Sequence, residues 1–179
     1  RNALYKKYFP KAKKTKIIDW DFVDTCWRKE PREYQYVAAN YLKAMQSYLK
    51  DSDLPKLEQL VVTKSWWDTV DILDRVVGSL VYEKQELEKI ILQWSLSDNI
   101  WLRRVAIDHQ LLRKEKTNVQ LMEKILLHNL NQTEFFINKA IGWALRDYSK
   151  TNPTWVAGFI EKNKERMADL SIKEASKYL

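Results

Sequence analysis

Trp67 and Asp71 stand four residues apart, about one helical turn, so a helix carrying both presents an indole and a carboxylate on the same face. In the run 66–77, read at about 100° per residue, Trp66, Val70, Leu73 and Val77 form one apolar stripe. Trp67 falls on the other side, with Asp71, Asp74 and Gly78. A second run, 135–150, places Ile137, Ile141, Ala144, Leu145 and Tyr148 in a buried stripe and turns Trp143 away from it, among Lys139, Arg146 and Lys150. One helix with an indole beside a carboxylate, and another with an indole in a row of cations, suit an anionic partner that has flat or apolar parts. Nucleic acid fits that description.

Charge points the same way. Lys and Arg number 31 against 24 Asp and Glu, a formal charge of +7 over 179 residues, which favours nucleic acid or an anionic membrane as partner. No uncharged apolar stretch approaches the roughly 18 residues of a membrane span, and no signal-like start is present, so a membrane partner is set aside. The single Cys26 excludes an internal disulfide and points to a reducing, cytoplasmic setting. His109 and His128 are the only histidines, too few for a zinc cluster of familiar spacing, so neither a metal nor another cofactor is expected. The chain opens at Arg1 rather than Met, and natural N-terminal residues are expected to be missing.

These side chains require helices to hold them. Glycine is scarce and strand-like alternation does not persist, which defines an all-α chain. Helices are expected over 19–30, 32–49, 53–62, 66–81, 84–96, 99–114, 118–129, 134–149, 153–166 and 171–179. Pro31 suits a first turn, 51–53 and 151–153 carry cap and turn chemistry, and 97–99 can cap the next helix. No break is long enough for a linker, so 1–179 reads as one domain. Aromatic residues open successive helices at Tyr34, Trp67, Trp101 and Phe136, about one repeat apart, each leading into small or aliphatic residues. A helix pair recurring at that period marks an α-α superhelix, in which each pair buries its apolar face against its neighbours. Its second helices line a concave face. The expected result is a basic concave wall bearing Trp67, Asp71, Arg103 or Arg104, Lys139 and Trp143.

The stretches 63–71, 99–106 and 134–153, together with 32–36 and 170–175, closely resemble the AlkD family of DNA alkylation repair glycosylases, and the resemblance spans nearly the whole chain. It implies a HEAT-like helical repeat, expected to be a monomer, that grips duplex DNA and hydrolyses the N-glycosidic bond of N3- or N7-alkylated purines in base excision repair. By position, Trp67, Asp71, Arg104 and Trp143 match the family's functional quartet, with Arg103 the neighbour one register away. The front departs from the family, which has further helices there that help hold the lesion.

That chemistry is physically coherent. A purine alkylated at N3 or N7 is cationic and already a good leaving group. The sugar needs the help, because base loss leaves an oxocarbenium-like deoxyribose that a carboxylate can stabilise while orienting water. Asp71 fits both tasks. Indole faces carry a negative quadrupole, so Trp67 and Trp143 against the sugar favour developing positive charge. Arg104 would hold a phosphate beside the lesion, and Lys139, Arg146 and Lys150 would meet others. Trp66, Trp101 and Tyr148 are assigned to the core, as are Trp20, Trp27, Trp94 and Trp155; His109 reads as a hydrogen-bonded core histidine and Glu115 as surface. Two other readings remain: a non-catalytic DNA-binding relative and a protein-binding helical repeat scaffold.

Whatever the chemistry, the cations predict duplex binding without sequence preference that weakens steeply with salt, because phosphate contacts release condensed counterions. A log–log plot of affinity against salt concentration checks this. A flat plot would leave only the protein scaffold.

Overall fold

The computed structural model describes Lys7 and residues 9–179. Arg1, on which the expectation of missing N-terminal residues rests, lies outside the described residues. Among the described residues, regular structure is helical throughout, with no strand. None of their helices is long and apolar enough to cross a membrane. Two compact units divide the chain, the first ending at Gln85 and the second running Glu86–Leu179.

The first unit contains α1 (Phe9–Thr15), α2 (Trp20–Arg28), α3 (Arg32–Met45), α4 (Leu54–Val62) and α5 (Trp67–Glu83). Asp19 caps α2 by accepting the Phe22 N–H at 2.9 Å, and Pro55 occupies the first turn of α4, where a missing N–H costs nothing. α2 pairs with α3, α4 pairs with α5, and α3 packs on α5. Helix α1 lies outside the helices expected from the sequence. Only Phe9 of its seven residues is buried, too little to show as a periodic stripe.

The second unit contains α6 (Glu88–Trp94), α7 (Ile100–Asp108), α8 (Val119–His128), α9 (Phe135–Ser149), α10 (Pro153–Asn163) and α11 (Asp169–Ala175). Asn99, Asn118 and Asn152 cap α7, α8 and α10 through their side-chain oxygens. α6 packs on α7 and α8, while α7 packs on α9 and α9 on α11, giving a row α7–α9–α11 formed by the second helix of each pair. The expected stripe of α9, Ile137, Ile141, Ala144, Leu145 and Tyr148, is buried as read from the sequence. Of the other tryptophans assigned to the core, Trp27 and Trp94 are buried, whereas Trp20 and Trp155 are only partly so.

Polar ties recur at the repeat period. Trp27 donates its indole N–H to the Thr63 carbonyl 36 residues on, Arg104 reaches the Phe136 carbonyl 32 residues on, and Asn129 donates to the Ser95 carbonyl 34 residues back. Ser171 Oγ donates to the Asn138 carbonyl across 33 residues. Equivalent positions of successive repeats are therefore bonded to each other, as stacking of like units requires.

Helix α7 ends six residues before the expected end of 99–114. The following turn places Leu112 and Lys114 in the left-handed region, at φ 70° and 53°, and the Leu112 N–H donates to the Asp147 carboxylate at 2.7 Å. His109, which caps the helix, is buried as expected, its Nδ1 at 2.7 Å from the Ala106 carbonyl. Burial foremost pushes its pKa down to about 3, so the ring is neutral.

Gly142 decides how closely α9 and α11 approach. A Cβ there would lie 2.6 Å from Glu174 Cβ and 3.2 Å from the Ser171 carbonyl oxygen, neither of which is the free end of a flexible chain. Alanine would gain about 1 kcal/mol of helix propensity, yet such overpacking costs roughly 1–3 kcal/mol or more. The clash is against atoms anchored to a backbone, so the cost wins. Gly142→Ala is expected to lower the thermal midpoint by several degrees, read by circular dichroism; an unchanged or higher midpoint would show that α11 moves away freely.

Candidate active site

Helix α5 of the first unit begins at Trp67, and its N-cap is Trp66, at φ −157° and ψ 155°. Because Trp66 has extended backbone, the helical stripe does not reach it. Val70, Leu73 and Val77 are buried as expected, but Trp66 is 49% exposed and leaves the core to which the sequence assigned it. Trp67 is 47% exposed, so two adjacent indoles face solvent at the mouth of one helix. One turn on, Asp71 is partly buried. The face it shares with Trp67 closes over further along, since Asp74 and Gly78 are buried. Oxygens of Asp71 and Asp74 lie within 4.8 Å of each other, and Arg75 Nε stands 3.4 Å from Asp74 to offset that like-charge pair.

The start of α5 is anchored from α3. Arg32 donates to Asp68, to the Lys64 carbonyl at 2.6 Å and to Thr69 Oγ1 at 2.9 Å, while Tyr36 donates to the same Asp68 carboxylate. Burial alone would raise the Asp68 pKa, but the Arg32 and Tyr36 hydrogen bonds and the Arg32 charge outweigh it and hold the carboxyl below its usual range. Trp67 and Asp71 are thus carried on a helix whose first turn is pinned by Arg32 and Tyr36. In the sequence those two residues stand out only as part of a family resemblance.

In the second unit, Trp143 lies partly buried at the middle of α9 with three cations around its ring: Arg104 at 5.3 Å, Lys139 at 5.9 Å and Arg146 at 6.0 Å from the centroid. The expected row of cations around Trp143 is present, but Lys150 is not in it; that side chain lies over Tyr178 at 4.8 Å. Arg104 also differs from expectation. The sequence placed it on an open face, whereas it is 1% exposed, donating to the Phe136 carbonyl at 2.6 Å with Nε 3.9 Å from Asp108. Replacing Arg104 by Ala would therefore disturb the fold, because a buried guanidinium has its partners arranged around it. Arg103 turns elsewhere, bonding Asn129 at 2.8 Å and Gln132 at 2.7 Å. Trp101, expected in the core, is only partly buried against Phe136, with ring centroids 5.0 Å apart.

Glu174 of α11 is a site residue that periodicity does not single out. It is buried, and accepts from Lys139 at 2.9 Å, Arg146 at 2.7 Å and Lys177 at 2.9 Å. The sequence signal is a glycine inside α9 one residue before Trp143; that it faces Glu174 emerges only from packing.

A helical repeat in which exposed indoles, a carboxylate and a caged tryptophan sit on second helices matches the class read from the sequence. The pattern of the DNA alkylation repair enzyme family matches residues 1–179, and the chain belongs to that family. A solved structure, the predicted DNA alkylation repair enzyme from Enterococcus faecalis, is 34% identical with a TM-score of 0.89, covering 99% of this chain and 84% of its own. The helical repeat fold follows over essentially the whole length. No protein of curated function matches the chain.

Hydrogen bonds from Lys139 first, then Lys177, hold the Glu174 carboxyl at about 2 against an ordinary 4.5, overcoming the upward push of burial. A carboxyl depressed on folding stabilises the native state above its unfolded pKa and loses that contribution as pH falls toward the folded value. Stability is therefore expected to drop between about pH 4.5 and pH 2 through this group. Urea midpoints at pH 5 and pH 3 check it: wild type should lose more across that interval than Glu174→Gln, and equal losses would contradict the assignment.

Proposed function

We propose that this member of the DNA alkylation repair family is a glycosylase that hydrolyses the N-glycosidic bond of cationic N3- or N7-alkylated purines in duplex DNA, working in the cytoplasmic compartment as a monomer without metal or cofactor. The observation that carries the reading is Asp71. In a chain of net charge +7, a carboxylate stands one turn from a solvent-facing indole on a helix anchored at its start. A carboxylate beside a polyanion opposes binding of undamaged DNA and is useful only if it stabilises positive charge that develops later.

The roles follow from chemistry. Cleavage of the C1′–N bond sends the electron pair to the departing base, whose positive charge is thereby neutralised, and leaves cationic character on the sugar. Asp71 stabilises that sugar and orients the water that attacks C1′. Trp67 packs its face on the deoxyribose, excluding bulk water and favouring the developing cation. Trp143, held among cations, offers a second such face, and Arg104, enclosed and lying over the Trp143 ring, braces that indole rather than meeting a phosphate. Lys139, Arg146 and Lys150 add positive potential, of which Lys150 is the most exposed.

Asp71→Asn keeps the shape and removes the charge. Single-turnover excision of 7-methylguanine from a duplex is expected to fall at least about 100-fold, a few kcal/mol of transition-state stabilisation, while affinity for undamaged duplex holds or tightens. Unaltered excision by a folded Asp71→Asn protein would remove Asp71 from the mechanism. Salt-dependent binding without any excision by wild type would instead identify a non-catalytic DNA-binding relative.

A further inference from the structure

We infer that Glu174 is a positioning residue for Trp143, acting through Lys139 and Arg146. Lys139 precedes Trp143 by one turn and Arg146 follows it by nearly one, so the three share a face of α9 with the indole between the cations. Glu174 engages both cations with different oxygens: Lys139 on Oε1 at 2.9 Å, Arg146 on Oε2 at 2.7 Å. A single carboxylate thus spans the two turns that flank the ring. It reaches this position because Gly142, the residue before Trp143, lacks a Cβ that would come within 2.6 Å of Glu174 Cβ.

Packing alone does not account for this arrangement. Burying a carboxylate is costly, and well-packed apolar residues of similar volume commonly serve stability as well as a buried ion pair or better. What the carboxylate adds is direction. Lysine and arginine have long, freely rotating stems, so without Glu174 the enclosed Arg104 would be fixed on the ring while Lys139 and Arg146 would not. Three charge-assisted hydrogen bonds at one buried acceptor remove that freedom. The ring is then fixed before any substrate arrives. The catalytic consequence rests on the glycosylase reading; the structural assignment does not.

Two readouts test it. In the nitrogen–proton NMR spectrum, the Trp143 indole N–H, identified by its loss in Trp143→Phe, is expected to shift and broaden in Glu174→Gln. It should stay in place in Lys177→Met, which removes an ion pair from Glu174 without touching the cations on the ring. In single turnover at saturating enzyme, Glu174→Gln is expected to release 7-methylguanine at least about tenfold more slowly, with affinity for undamaged duplex no weaker, since the variant is one charge more positive. A folded Glu174→Gln with an unmoved Trp143 resonance overturns the inference, as does an equal displacement in Lys177→Met. Should Glu174→Gln not fold, Arg146→Met carries the same test: a displaced indole supports the inference and an unmoved one refutes it. A displaced resonance in a protein whose wild type excises nothing would retain the Glu174 assignment and reject the glycosylase reading.

Discussion

Hydrogen bonds between like positions of neighbouring repeats are the constraint on which the other features depend. A helix pair of this size cannot bury its apolar face alone, so each must be covered by the next. Apolar contact is tolerant of sliding, and polar ties are not. The ties from Trp27 to Thr63, Arg104 to Phe136, Asn129 to Ser95 and Ser171 to Asn138 each bridge about one period and set the register of one pair on another within its unit. Side chains proposed for chemistry inherit their places from that register. Trp67 projects where it does because Arg32 holds the turn beneath it, and Trp143 because α11 closes on α9 at a glycine.

Both proposed sites place charge near aromatic surface, yet they treat it differently. At the start of α5, Asp68 absorbs the charge of Arg32 and accepts from Tyr36, and the polar groups are consumed in holding backbone. Beside Trp143, Glu174 alone faces Lys139, Arg146 and the more distant Lys177, so the balance at that carboxylate stays positive after every pairing. The first arrangement leaves Asp71 as a carboxylate on an anchored helix. The second keeps positive potential beside an indole without leaving its cations loose.

Much of this is legible from residue order. Helix periodicity identifies the repeat, most helices within a few residues, the buried stripe of α9 and the cationic surroundings of Trp143, because those features are local and periodic. Three failures share a cause. A helical stripe extended to Trp66 runs one residue too far, onto backbone that is no longer helical. Arg104 reads as lying on an open face because a helical wheel sees charge and not the neighbouring helix that encloses it. Glu174 goes unassigned because its partners on α9 are 28 and 35 residues away, and nothing in its own helix marks them. Local pattern names the candidates; packing between repeats decides which are enclosed and which stay open.

The turn after α7 sets local preference against tertiary demand. The residues beyond His109 continue a helical pattern, yet the chain leaves the helix and holds Leu112 and Lys114 in left-handed conformations that cost L-residues roughly 1–2 kcal/mol each. The Asp147 carboxylate, on α9, secures this by accepting the Leu112 N–H. This segment is therefore a point of local frustration. Asp147 thus does at this corner what a cap residue does at a helix end, except that the acceptor comes from another helix, while Gln110 and Asn118 close the rest of the turn by bonding each other.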